Sequence, residues 1–298
     1  MTTPPDSTFN LPATDPVSII GCGYIGKRLA QQLRQQGISV HATVSSDDSL
    51  AECRKLGIDC EVLDLDESQT TMDVSGRHII YLAPPPRSGR SDTRMANFLN
   101  AMQSSPPARF VLISTTGVYG DCKGAWIDET RPLNPLADRA YRRADAEAQV
   151  RTFCEHHNIP LVILRVAGIY GPGKIPVKRI QSGEPIVRHE DSPFTNRIHA
   201  HDLVDICQQA LLDKGIAGIY NVTDGHPGSM YEYFTGIAEK LGLPAPPAIS
   251  LEQARTRLSE GMLSYMAESR RIDNTKLLRD FAIELQYPTL RDGLAMIE

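Results

Sequence analysis

The sequence predicts an α/β protein with a doubly wound, seven-stranded parallel sheet and a smaller C-terminal substrate domain. Three observations predict it. Short apolar runs alternate with amphipathic helical segments, and parallel strands need crossovers of that kind. A Gly-x-Gly-x-x-Gly run stands between the first apolar strand and the first helix. Beyond Gly171 the alternation gives way to segments broken by Pro172, Gly173, Pro176, Gly183, Pro185 and Pro193.

The elements follow in order. Residues 17–20 form the first strand. The helix after it carries Leu29 and Leu33 on one face, with Gln and Arg opposite, and stops at Gly37. Further strands are expected at residues 39–44, 61–63, 78–83, 110–114, 161–166 and 219–222, and helices at 93–103 and 139–157. The expected organisation is a flexible tail at 1–16 and a dinucleotide-binding unit at 17–171, to which 197–222 return. Residues 172–196 and 223–298 then build the substrate unit over the sheet's carboxyl edge, where ligands of open α/β sheets bind.

Composition narrows the function. Net charge is −5 with acids and bases interspersed, which lacks the basic stripe of a nucleic-acid surface. No run approaches the roughly 18 apolar residues of a membrane span. The six cysteines form no C-x-x-C pair and stand near no histidine pair at zinc spacing, so they read as reduced thiols in a cytoplasmic protein without a metal site.

The glycine run is Gly21-Cys22-Gly23-Tyr24-Ile25-Gly26. Gly21 permits the tight turn, Gly23 lets the backbone approach a pyrophosphate, and Gly26 allows close helix–strand packing. The helix N-terminus adds free N–H groups and a positive dipole end. This is a Rossmann-type fingerprint for NAD or NADP, with Tyr24 and Ile25 in the loop. At the end of the second strand Val44 stands where an acid would select NAD. Ser45 and Ser46 can bond a 2′-phosphate, so NADP is slightly favoured, although Asp47 and Asp48 are the charges nearby. Asp64 and Leu65 follow the third strand, where Asp64 can accept from the adenine amino group. Ala83 and Pro84 follow the fourth and line the cofactor.

Ordered motifs then carry a resemblance. Ser114-Thr115-Thr116-Gly117-Val118-Tyr119-Gly120-Asp121, with Glu129, Pro132 and Pro135, resembles the extended short-chain dehydrogenase/reductases, the NAD-dependent epimerase/dehydratase group. Arg165 with Tyr170-Gly171-Pro172-Gly173, Ile198 to Leu203, Gly218 to Val222 and Pro288 to Leu294 are similar to that family's later motifs. The resemblance implies hydride chemistry on a sugar-nucleotide-like or other polar hydroxyl/carbonyl substrate. It also implies a helix-paired homodimer and a Ser/Thr, Tyr and Lys at the centre. Counting back from Tyr119 gives Thr115 as the Ser/Thr.

The Tyr–Lys pair departs from the family. An ungapped register from Pro135 puts Arg139 at the Tyr position, Arg143 at the Lys position and Glu147 at the family's Glu. A two-residue shift offers Tyr141 instead, but sets Asp145 in the Lys slot, and an acid there opposes ionisation of the phenol. Arg143 can hold the ribose. Arg139 can meet a substrate phosphate or carboxylate, but an arginine stays protonated and moves no proton. The pattern resembles an atypical, YeeZ-like subgroup.

Two readings stay open. One is an NAD(P)-dependent oxidoreductase or epimerase using Thr115, with Tyr141 or a water held by Arg139 handling the proton. The other is a non-catalytic dinucleotide sensor or regulatory protein. His199 and His201 read as structural, and Asp202 as the N-cap of a helix reaching Leu212.

Overall fold

The computed structural model describes residues 15–68 and 71–296. The chain runs β1 (Val17–Ile20), α1 (Tyr24–Gln35), β2 (Val40–Val44), α2 (Asp47–Lys55), β3 (Asp59–Val62), β4 (His78–Tyr81), α3 (Thr93–Ala101), β5 (Arg109–Thr115), α4 (Asp138–His157) and β6 (Leu161–Val166). It continues α5 (Val177–Gln181), α6 (Ala200–Leu212), β7 (Gly218–Val222), α7 (Met230–Lys240), α8 (Leu251–Arg257), α9 (Glu260–Met266), α10 (Thr275–Phe281) and α11 (Leu290–Ala295). The seven strands form one sheet in the order β7-β6-β5-β4-β1-β2-β3. Every pairing is parallel, with Val17 opposite Val40 on one side and His78 on the other. The strand order reverses at β1, and that switch point opens a crevice at the carboxyl edge.

Both faces of the sheet are covered. On one, Leu29 and Leu33 of α1 pack with Leu203, Ile206 and Cys207 of α6 over Val17 and Ile19. Those two leucines are fully buried, each contributing roughly 1.5–3 kcal/mol. On the other face, Phe98 of α3 and Ala146 and Val150 of α4 cover Ile79, Tyr81, Phe110 and Leu112. A third cluster joins Tyr170, Ile180 and Ile186 to Tyr233, Phe234 and Ile237 of α7 and Leu294 of α11. It forms the C-terminal lobe over the carboxyl edge.

Three details differ from expectation. Residues 1–14 of the expected tail lie outside the described residues, but Pro16 is docked, its carbonyl accepting from the His78 amide at 3.0 Å. Leu277 and Phe281 of α10 pack into the first core, so part of the stretch after residue 223 rejoins the sheet layer. Asp202 is not the cap of α6. His199 is, its Nδ1 accepting from the His201 amide at 3.3 Å. Asp202 is buried in the first turn and accepts from the amides of Gln286 and Tyr287 at 2.8 and 3.1 Å, which pins the C-terminal segment to the sheet layer.

Candidate cofactor and substrate site

The glycine loop turns directly off β1. Gly21 has φ +86°. A Cβ built there would lie 2.6 Å from the Ala83 nitrogen, so glycine is required on both counts. The amides of Gly21 and Cys22 donate to the Thr43 carbonyl at 3.1 and 2.7 Å, tying the loop to β2. A Cβ on Gly26 would meet Ile19 and Leu82 at 3.2 Å, the close packing of helix on strand. Gly23 differs. A Cβ there meets nothing within 4 Å. It precedes the first turn of α1, which has no side-chain cap and no acidic residue, so its first amides stay available to an anion. These residues fit a dinucleotide pyrophosphate.

Around the loop, Tyr24 is half-buried and donates to the Pro172 carbonyl at 2.9 Å, while Ile25 is in the core. Ser46 caps α2, its Oγ accepting from the Ser49 amide at 3.4 Å, and Ser45 is exposed beside it. Asp47 and Asp48 fill the first turn of α2. Asp64 is exposed and accepts from the Asp66 amide at 2.9 Å. Leu65 is buried in the second core, and its carbonyl accepts from Asn97 at 3.0 Å. Ala83 is buried, and its carbonyl accepts from Arg143 Nη2 at 3.0 Å. Pro84 is exposed and its carbonyl accepts from Arg94 at 3.1 Å.

Beside this groove lies a cavity of about 580 Å³ at the carboxyl edge. Its walls include Thr115 at the end of β5, Arg139 and Arg143 of α4, and Lys174, Arg197, Glu268 and Arg270. Residues Met230, Tyr233 and Tyr265 bring the C-terminal lobe into the wall. Thr115 Oγ1 accepts from the Gly117 amide at 3.2 Å, leaving its proton to a ligand. Arg143 spends Nη2 on Ala83, whereas Nη1 is buried without a partner. Burial draws the Arg143 guanidinium down from its ordinary pKa.

Helix register decides between Arg139 and Tyr141. Arg139, Arg143 and Glu147 are spaced four apart and share a face. Tyr141 sits about 160° from Arg139 around the axis. It is not in the cavity wall. Its ring lies under Arg90, whose guanidinium carbon is 4.4 Å from the ring centre. Tyr141 therefore does not face the site, and the expectation that it carries the proton is corrected. Arg139 does face it. Its Nη1 donates to Ser264 Oγ at 3.0 Å, and its guanidinium lies 4.8 Å from the centre of the Tyr265 ring.

Sequence reasoning missed a buried network under the cavity floor. Glu147 accepts from Arg165 Nη2 at 2.7 Å and from Ser114 Oγ at 2.5 Å. Arg165 Nη1 donates to the Tyr119 hydroxyl at 3.0 Å, which donates to Asn221 at 2.7 Å. Burial raises the Tyr119 pKa although Arg165 opposes it, so the phenol stays protonated and donates. Each residue stands in a family motif, but only the fold brings Ser114, Glu147, Arg165 and Asn221 together. Arg197 was missed too. It is 7% exposed, stacks 4.1 Å over Tyr233, and has no carboxylate within 4.0 Å among the described residues.

A family model for the NAD dependent epimerase/dehydratase family matches residues 17–223. The chain belongs to that family. It is similar to protein YeeZ of Escherichia coli K12, 28% identical over 288 residues, covering 91% of this chain and 96% of YeeZ. A conserved protein of unknown function from Silicibacter pomeroyi superposes with a TM-score of 0.84 at 28% identity, covering 95% of this chain and 97% of that one. The NAD complex of dTDP-glucose 4,6-dehydratase from Bacillus anthracis superposes with a TM-score of 0.73 at 16% identity, covering 94% of each chain, a likeness of fold. No described helix is long and apolar enough to cross a membrane.

Proposed function

We propose that the protein is an NAD-dependent oxidoreductase or epimerase acting on a nucleotide-sugar-like substrate. The observation that carries this reading is the cavity. It starts at Thr115 and Arg143 beside the cofactor groove and extends to Arg197, a buried cation that donates to Thr195 Oγ1 at 2.7 Å and meets no carboxylate within 4.0 Å among the described residues. Its protein partners at contact distance are neutral and Asp224 acts on it only from further away, so an anion in the cavity would gain a direct, charge-assisted pair. A substrate phosphate supplies that anion, as in the nucleotide-linked ligands of family relatives.

Bound NAD would supply a two-electron hydride donor or acceptor. Thr115 donates a hydrogen bond to the reacting oxygen. Arg143 offers Nη1 to a ribose hydroxyl, which removes its unsatisfied donor. Arg139 contributes positive charge beside the reacting carbon. Tyr265 is the cavity-lining phenol best placed to handle the proton, being 56% exposed and covered by Arg139 on one face. NAD is favoured over NADP because the Ser46 hydroxyl already caps α2, and Asp47 and Asp48 repel a 2′-phosphate there.

The test titrates the protein with NADH, then adds UDP-sugars while following NADH fluorescence and turnover. Micromolar NADH binding and UDP-sugar binding that Arg197→Met weakens at least tenfold, with NADH affinity unchanged, support the proposal. The replacement of the α4 tyrosine by Arg139 favours a second reading, a dinucleotide sensor. Cofactor binding with no turnover on any nucleotide sugar selects that reading.

A further inference from the structure

We infer that the substrate carries a carboxylate, and that Arg139 holds it. This rests on the proposed reading of the cavity and narrows its substrate class.

The argument starts from charge. The cavity wall carries Arg139, Arg143, Lys174, Arg197 and Arg270 against one carboxylate, Glu268. Glu268 is spent on Arg270, whose Nη1 it meets at 2.6 Å. Arg143 has Ala83 and the cofactor side of the groove as its surroundings. Lys174 lies 5.3 Å from the ring centre of Tyr24, in the glycine loop. Arg197 stacks against Tyr233 of α7 and donates to Thr195 Oγ1 at 2.7 Å. Arg139 lies on α4 one turn from Arg143, exposed at the cavity mouth and within 4.0 Å of no carboxylate among the described residues.

The geometry of Arg139 selects the kind of anion. The α9 helix of the C-terminal lobe fixes it, with Ser264 accepting from Nη1 and Tyr265 covering one face. Ser264 in turn donates to the Gly261 carbonyl at 2.8 Å, so its hydroxyl is oriented to accept. No carboxylate lies within 4.0 Å of Arg139 among the described residues. The Nε–Nη2 edge of the guanidinium remains, and two parallel N–H groups match the two oxygens of a carboxylate. A neutral sugar at this point would offer only single hydroxyl acceptors, without the paired, charged oxygens that match the fork. A carboxylate on the sugar uses it fully, pairing both its oxygens with the two N–H groups of the fork.

The experiment uses full-length protein loaded with NADH and titrated with UDP-glucuronate and with UDP-glucose, which differ at the sugar C6. The expected result is at least a tenfold preference for the uronate. Arg139→Gln brings the two affinities within threefold, Arg139→Lys keeps part of the preference, and NADH affinity is unchanged in both. Equal affinity for the two sugars in the wild type, or a preference that survives Arg139→Gln, overturns the inference while leaving the proposed function standing. If neither UDP-sugar binds, the nucleotide-sugar reading fails and oxamate, a small 2-oxo acid analogue, separates the ideas. Oxamate binding that Arg139→Gln abolishes supports a free carboxylic acid at Arg139, and no oxamate binding overturns the carboxylate as well.

Discussion

At Gly23 the space for a Cβ is open, whereas at Gly21 it is filled by Ala83 and at Gly26 by Ile19 and Leu82. The three glycines of one motif therefore separate by experiment. Gly23→Ala adds a methyl with no clash and a permitted φ of −88°, so its thermal midpoint should stay within about 1 °C of wild type. The same methyl enters the space beside the α1 amides, and NADH affinity should fall at least tenfold by fluorescence titration. Unchanged affinity would show that the loop holds no dinucleotide. The glycine spacing was readable from sequence because Gly21 and Gly26 answer demands of the chain itself, a positive φ and close helix–strand packing, while Gly23 leaves open the space beside the α1 amides. The choice between Arg139 and Tyr141 was not, because a two-residue register shift changes which helix face is meant. Only the packing of α4, with Glu147 inward and Tyr141 under Arg90, fixes that face.

Helix α4 serves three surroundings along one stripe: Arg139 at the cavity mouth, Arg143 at the cofactor groove and Glu147 under the sheet edge. Glu147 and Arg165 are both nearly inaccessible, and their bidentate pair is completed by Ser114 and Tyr119. Removing one partner leaves a buried charge uncompensated, which costs about 3–5 kcal/mol. Glu147→Ala should lose that much in urea denaturation, and adding Arg165→Met should restore most of it. A double variant no more stable than the single one would mean that the network acts by shape rather than charge. The loop after β7 makes an opposite case. Burial lifts the Asp224 pKa from 3.8 to about 6, against a hydrogen bond from the His226 amide and the positive charge of Arg197. Because the folded value is the higher one, stability is greatest below about pH 4 for this group and is lost as pH rises through 6. A neutral Asn keeps the acceptor for His226, so Asp224→Asn should stabilise the protein by roughly 2–3 kcal/mol at pH 8. At pH 4 it should change little. Destabilisation at pH 8 would reveal Asp224 as a needed counter-charge for Arg197.

At the scale of the whole molecule, one cavity is lined both by the sheet's carboxyl edge and by the C-terminal segments, and this is the scale at which sequence said least. The seven-stranded parallel sheet was legible because alternation and glycine spacing are local signals with few topological solutions, whereas the strand order appears only in the fold. The C-terminal wall was not, because Tyr233, Tyr265, Glu268 and Arg270 come from short helices and loops whose placement depends on long-range packing. Ser46, read from sequence as a 2′-phosphate ligand, is also the cap of α2, a role that only the fold shows. That role makes cofactor preference a question of global stability. A ligand bound only by the folded chain stabilises it by about 2.7 kcal/mol at one hundred times its Kd. NAD at that concentration should raise the thermal midpoint by several degrees, since about 1 kcal/mol corresponds to roughly 2–4 °C in a chain approaching this size. NADP at equal concentration should raise it by less than half as much, because Asp47 and Asp48 oppose its extra phosphate. Replacing both acids with Asn should close that gap by raising the NADP shift and leaving the NAD shift in place. If NADP stabilises the wild type more than NAD does, Ser45 and Ser46 bind the 2′-phosphate despite the neighbouring carboxylates, and the preference argued from the cap is wrong.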